Sequence, residues 1–152
     1  MRGYYDMDTL DKAIITILQR DGRASNAGIA REVGVSEGTV RRRLKQLQDD
    51  NLIRIVAMLD PGRLGYRSEA LLGIHVDPDK LDMVADQMSD LEEIAWVSIT
   101  TGNYDIFAWA AFETPDALGE FLRTRVGTIF GVRRIETFVN LAIKKRGHGV
   151  MI

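Results

Sequence analysis

The sequence predicts an α+β chain in two parts. Residues 1–60 read as a three-helix domain, and residues 61–152 as a β-α-β-β-α-β domain whose antiparallel sheet carries two helices on one face. Three observations carry this reading. Apolar residues recur at helical spacing up to about residue 50. Beyond residue 60, short apolar runs alternate with amphipathic stretches. Two Pro-Asp helix starts, Pro78-Asp79 and Pro115-Asp116, lie 37 positions apart and mark a repeated unit.

The first helix carries Leu10, Ile14, Ile17 and Leu18 as one apolar stripe, opened at Met7 or Asp8 and closed by Asp21-Gly22. Ser25 is the N-cap of a short second helix through Ile29, Ala30 and Val33. Gly34-Val35 gives a tight turn, and Ser36 caps a third helix whose buried stripe is Val40, Leu44 and Leu47. That helix ends around Asp49-Asp50-Asn51, and Ile53 to Leu59 reads as a strand or an extended linker. In the second part, Ala70–Val76 is strand-like, and a helix from Asp77-Pro78 carries Leu81, Val84, Ala85, Met88 and Leu91. Ile94–Thr100 and Ile106–Phe112 are strands joined through a Gly102-Asn103 turn. A helix from Thr114-Pro115 carries Leu118, Phe121, Leu122 and Val126, and the last strand lies within Val132–Ile143. This order is that of a ferredoxin-like split β-α-β fold.

Composition narrows the function. The 152 residues hold no cysteine, which excludes disulfide scaffolds, zinc ribbons, iron–sulfur centres and thiol nucleophiles. No apolar run approaches the roughly 20 residues of a membrane span, and the N-terminus lacks the apolar core of a signal peptide. A cytoplasmic protein is expected. The formal net charge of -2 argues against a chain coated in nucleic acid, but the two parts differ. Residues 1–60 hold ten Lys/Arg against nine Asp/Glu, and residues 61–152 ten against thirteen. Arg41, Arg42, Arg43 and Lys45 fall within five positions, whereas acidic groups crowd Asp77–Glu93.

A short helix, a tight turn and a longer basic helix follow one another as in a helix-turn-helix. At about 100° per residue, Leu44 and Leu47 lie within about 40° of Val40, and Gly38, Thr39, Arg42, Lys45 and Gln46 lie on the opposite side. That outward face reads as rich in donors and free of acidic groups. Arg pairs bidentately with guanine and Gln with adenine, and Lys or Arg holds phosphate. Gly38 lets the backbone approach the groove, and the N-terminus capped by Ser36 suits a phosphate. Arg41 is on the flank. Arg43 lies about 60° from Val40, which favours an ion pair or a phosphate contact over base reading. The candidate DNA-contacting set is Ser25, Asn26, Ser36, Glu37, Gly38, Thr39, Arg41, Arg42, Arg43, Lys45 and Gln46.

These segments resemble the Lrp/AsnC (feast/famine) transcriptional regulators over about residues 7–145. The likeness is carried by Leu10-Asp11 to Leu18, Asp21 to Asn26, Gly34-Val35-Ser36, Thr39-Val40, Arg43-Leu44, Leu47 and Leu52-Ile53. It continues through Leu64-Gly65-Tyr66, Thr101-Gly102-Asn103-Tyr104-Asp105 and Gly131-Val132 to Glu136-Thr137. Gly28 and Asn51 depart from the pattern, Gly28 in the second helix and Asn51 where the family has a Gly. The resemblance implies a winged-helix-like DNA-binding domain with a linker strand, followed by a RAM-type effector and oligomerisation domain. It implies homodimers through the sheet, octamers or other higher oligomers, and double-stranded DNA as partner. It also implies a small effector such as an amino acid, bound near the hairpin through Thr101, Gly102, Asn103, Tyr104, Asp105 and Thr137. The alternative for that hairpin is plain turn chemistry with a packed Tyr104.

No catalytic residue, metal or cofactor is expected. A DNA-bridging architectural protein is one alternative function. A decarboxylase-like enzyme of tetrapyrrole synthesis, which some relatives of this architecture are, is the other. Its histidine would be His75, which otherwise reads as an ordinary sheet residue, while His148 belongs to a solvated basic tail.

Overall fold

The computed structural model describes residues 6–146. It divides into two compact units that meet between Met58 and Leu59.

In the first unit, α1 (Thr9–Arg20) starts at Asp8, whose carboxylate accepts the Asp11 N–H at 2.8 Å. Helix α2 (Asn26–Val33) starts at Ser25, whose hydroxyl accepts the Gly28 N–H at 3.1 Å. A Cβ on Gly28 would lie 3.2 Å from that hydroxyl, so the glycine weakens the helix but relieves its cap. Gly34, with φ of 73°, stops α2, and Ser36 caps α3 (Glu37–Asp49) by accepting the Thr39 N–H at 3.1 Å. Asn51 takes the left-handed conformation, φ 55°, that ends this run. Ile14, Ile17, Ile29, Ala30 and Val40 form the core, with Leu10, Leu18, Val33, Val35 and Leu44 packed around it.

Residues 53–60 pair with no strand among the described residues. The strand-or-linker expectation therefore resolves to an unpaired segment, with Ile55, Val56, Met58 and Leu59 exposed. A lone segment here has no ladder to join.

The second unit holds β1 (Ser68–Val76), α4 (Leu81–Ser89), β2 (Ile94–Ile99), β3 (Ile106–Phe112), α5 (Pro115–Phe121) and β4 (Val132–Val139). The strands form one antiparallel sheet in the order β2-β3-β1-β4. Leu72, Ile74, Ile106, Ala108 and Ala110 point to the helix side and pack on Val84, Met88, Leu118 and Phe121. Helix α4 stops before Leu91, which still packs on the core from the loop. The second helix also ends early. Leu122–Val126 is a π turn, closed by the Gly127 N–H on the Leu122 carbonyl at 2.8 Å. A Cβ on Gly127 would stand 2.8 Å from that same oxygen, so the wider turn requires glycine there.

Among the described residues of this unit, no helix covers the other face of the sheet. In antiparallel pairing, residues directly opposite share a face. Leu71 therefore lies beside Trp109 and Phe138, and Gly73 beside Phe107 and Glu136. Trp96 and Phe138 on this face are 50% and 44% exposed.

Candidate nucleic-acid interface and effector hairpin

Helix α3 presents two chemically different arginines side by side. Arg43 turns inward, and its Nη1 lies 2.7 Å from Asp8 Oδ2 and 3.3 Å from Asp11 Oδ1. The Asp11 side chain is only 2% exposed, and the Arg43 side chain 26%. Asp8 does double duty as the cap of α1. The Asp11 N–H and the Arg43 guanidinium hold its carboxyl below the ordinary value. The pair therefore fastens the basic helix to the start of α1, as the angle of Arg43 predicts.

Arg42 turns outward. Its side chain is exposed and makes no hydrogen bond or ion pair among the described residues, and the same holds for the side chain of Gln46 one turn on. Lys45 is exposed and reaches Asp49 at 2.6 Å, and Arg41 on the flank reaches Glu37 at 2.7 Å. This corrects the expectation of an outward face without acidic groups. Asp49 sits one turn beyond Lys45 on the same face, and both pairs follow the i, i+4 geometry of a helix surface. Exposed pairs of this kind are weak, so phosphate can displace them. Gly38 is exposed, and a Cβ there would meet nothing nearer than 3.9 Å, so packing does not demand the glycine. Ser25 and Ser36 are exposed caps, Asn26 opens α2, and the Thr39 hydroxyl lies 2.9 Å from Ser36 Oγ.

Asp8 and Asp11 as anchors of α3 are what the sequence reading lacked. A signal existed: Asp11 is in phase with Ile14 and Leu18, an acidic residue on a buried stripe, which requires a partner.

At the hairpin, the Thr100 N–H donates to the Asp105 carbonyl at 2.9 Å, and the Thr100 hydroxyl to the Tyr104 carbonyl at 2.7 Å. Gly102, with φ of 113°, makes the tip, and Thr101, Gly102 and Asn103 are exposed. Asp105 is spent internally, since its Oδ2 accepts the Val76 N–H at 3.0 Å. Tyr104 packs, as the plain-turn alternative expected. Its ring covers Gly73, where a Cβ would stand 2.7 Å away, and lies 5.1, 5.2 and 5.8 Å from the rings of His75, Phe107 and Phe138. Its hydroxyl donates to Glu136 Oε2 at 2.7 Å, and that hydrogen bond, with burial, raises the phenol above its ordinary 10.0. Thr137 stands opposite Leu72 and so faces the helix side, whereas Tyr104 lies on the open face. The structure thus gathers Thr101 to Asp105 and leaves Thr137 apart, because alternation along β4 turns it away.

His75 faces Tyr104, as an ordinary sheet residue does, and His148 lies outside the described residues. Among the described residues no cluster of three acidic or histidine groups is arranged to hold a metal, and no helix is long and apolar enough to cross a membrane.

The comparisons with known proteins agree with this layout. Residues 7–48 match the AsnC-type helix-turn-helix domain, and residues 69–150 match the Lrp/AsnC ligand binding domain. A helix-turn-helix-type transcriptional regulator of Pyrococcus furiosus is 38% identical, over 93% of this chain and 97% of its own. The regulator Ptr1 of Methanocaldococcus jannaschii is 33% identical, over 93% and 96%. The structure of AsnC from Escherichia coli superposes with a TM-score of 0.86 at 26% identity, covering 95% of this chain and 98% of that one. A regulator of Neisseria meningitidis, solved as a complex with L-Met, has the same fold, with a TM-score of 0.83 at 24% identity over 93% and 94%. With both domains matched in order, the chain belongs to the Lrp/AsnC family of transcriptional regulators: it is a DNA-binding regulator with a ligand-binding domain, and not an enzyme.

Proposed function

We propose that the protein acts as a homodimer or higher oligomer that reads a specific double-stranded DNA site with α3 of each protomer. One observation carries the reading: Arg42 and Gln46 stand outward and unengaged one turn apart, while Arg43 is turned in and held by Asp8 and Asp11. Arg42 reads a base, and Gln46 reads the next along the groove. Lys45, Arg41 and the capped N-terminus at Ser36 take phosphates, with Ser25, Asn26, Glu37, Gly38 and Thr39 lining the approach. Arg43 positions the helix.

Assembly uses the open face of the sheet. Leu71, Phe107, Trp109, Trp96 and Phe138 share this face, Trp96 and Phe138 exposed on it, and an antiparallel sheet packs readily on a second copy. Two copies set two α3 helices for a pseudo-palindromic site. Residues 53–60 act as the linker.

An amino acid is the effector we infer at the hairpin. The exposed backbone of Thr101, Gly102 and Asn103 supplies donors for a carboxylate, and the L-Met complex of the Neisseria protein supports the ligand class. Asp105 shapes the loop rather than taking the ammonium, and Thr137 has no part in the contact. The effector alters oligomer geometry and hence the spacing of the α3 helices.

The test is a gel shift with DNA from upstream of the protein's own gene, over a salt series, with and without amino acids. A shift specific to that DNA and altered by one amino acid is expected. No shift at low salt would remove the reading. A shift indifferent to sequence would favour a DNA-bridging architectural protein.

A further inference from the structure

Residues four apart form a row along a helix surface, and one such row on α3 differs from its surroundings. Gly38, Arg42 and Gln46 follow one another at i, i+4 and i+8, and all three are exposed. The cations beside the row are engaged. Arg41 is paired with Glu37 at 2.7 Å, Lys45 with Asp49 at 2.6 Å, and Arg43 with Asp8 and Asp11. In the run from Arg41 to Lys45, Arg42 is the cation whose side chain has no partner among the described residues.

Gly38 belongs to the same row by a separate observation. Its backbone is helical, so conformation does not require a glycine. Packing does not require one either, since a Cβ would lie 3.9 Å from Ser36 Oγ, an ordinary contact. A helical glycine weakens its helix relative to alanine. What the missing Cβ does provide is a bare backbone at the leading turn of the row, where a recognition helix enters the groove.

The spacing of the row can be set against DNA. Arg42 and Gln46 are about 6 Å apart along the helix axis, and successive bases rise by about 3.4 Å. On a helix lying along the major groove, the two side chains reach base pairs that are adjacent or separated by one. A guanidinium matches the paired acceptors of guanine, and a carboxamide matches the acceptor and donor of adenine. We propose that the row Gly38, Arg42 and Gln46 sets the target sequence. Each half-site has one required G·C pair, read by Arg42, and one required A·T pair, adjacent or one removed, read by Gln46. Gly38 admits the helix to the depth at which both reach. The inference rests on the DNA-reading role of α3 and names the bases which that role selects.

Selection of binding sites from randomised duplex DNA by the full-length protein tests it. The parent should enrich two inverted half-sites, each with these two pairs. Replacing either pair in the selected site should weaken binding at least about tenfold. Arg42→Gln should turn the selected G·C into A·T, and Gln46→Arg should turn the selected A·T into G·C, each leaving the rest of the site unchanged. Both positions are exposed and unpaired, so both variants should melt with the parent. Gly38→Ala should melt no lower than the parent, yet bind the selected site at least about tenfold more weakly. If the parent enriches no sequence, the sequence-reading role of α3 itself fails. If the parent enriches a site and either exchange still selects that same site, the role stands and this assignment of bases is overturned. Gly38→Ala binding as tightly as the parent would overturn it as well.

Discussion

Replacing Arg43 by alanine separates a structural arginine from a DNA-reading one. The substitution removes the cation from Asp11, whose side chain is 2% exposed, and from Asp8 beside it. Breaking a buried pair by deleting one partner destabilises by about 3–5 kcal/mol. Arg43 is itself a quarter exposed, so water reaches the vacated side, and the expectation falls to about 2–4 kcal/mol. For a helical unit of this size, whose whole stability is of order 5 kcal/mol, that is a large share. Urea unfolding of the full chain, followed by far-UV circular dichroism, measures the loss. Arg42→Ala, at an exposed and unpaired position, should change stability by less than about 0.5 kcal/mol. Replacing both Arg43 and Asp11 by apolar residues of similar volume should recover much of the loss, because no charge is then left buried. The reasoning is refuted if Arg43→Ala unfolds with the parent while lowering the salt dependence of DNA binding by about one ion. That result would make Arg43 a phosphate contact.

Four further outcomes are expected. Arg42→Ala should weaken specific DNA binding by about 1–3 kcal/mol and relax selectivity at one base, read from gel shifts on a set of single-base variants at fixed salt. Gly73→Ala places a Cβ about where the Tyr104 ring lies, so it should destabilise the second unit by about 1–3 kcal/mol, measured by thermal unfolding. Tyr104 is raised by its bond to Glu136, so it contributes stability that is present below pH 10 and is lost as pH rises through its higher folded value; ultraviolet titration should show one tyrosine ionising late. Asp8 is lowered, and its contribution is present above its ordinary 3.8 and lost as pH falls through the folded value, which acid unfolding of Asp8→Asn against the parent should reveal.

Much of the site was legible before the fold. Ser25, Ser36 and Gly34 announced the two helix starts and the turn, because capping and left-handed backbone are local chemistry. The helical period then placed Arg42 outward and Arg43 near the core, and both stand so. The acidic Asp49 on the same face was legible too, one turn further along the projection. The partner of Arg43 was not, because Asp11 lies 32 positions earlier and only packing of α1 on α3 brings them together. Thr137 shows the same limit at the hairpin. Strand alternation fixes two faces for β4, but which one meets the helices follows from the register with β1.

What the sequence by itself determined is what neighbours in the chain decide: the helices and their caps, the repeated β-α-β order, the hairpin turn and the outward basic face of α3. The tertiary structure alone decided what distant groups do to one another. It clamped Arg43 to two carboxylates and laid the Tyr104 ring on Gly73. The reason is range. Backbone preference acts over a few residues, whereas burial and ion pairing act between surfaces that meet only when the chain has folded.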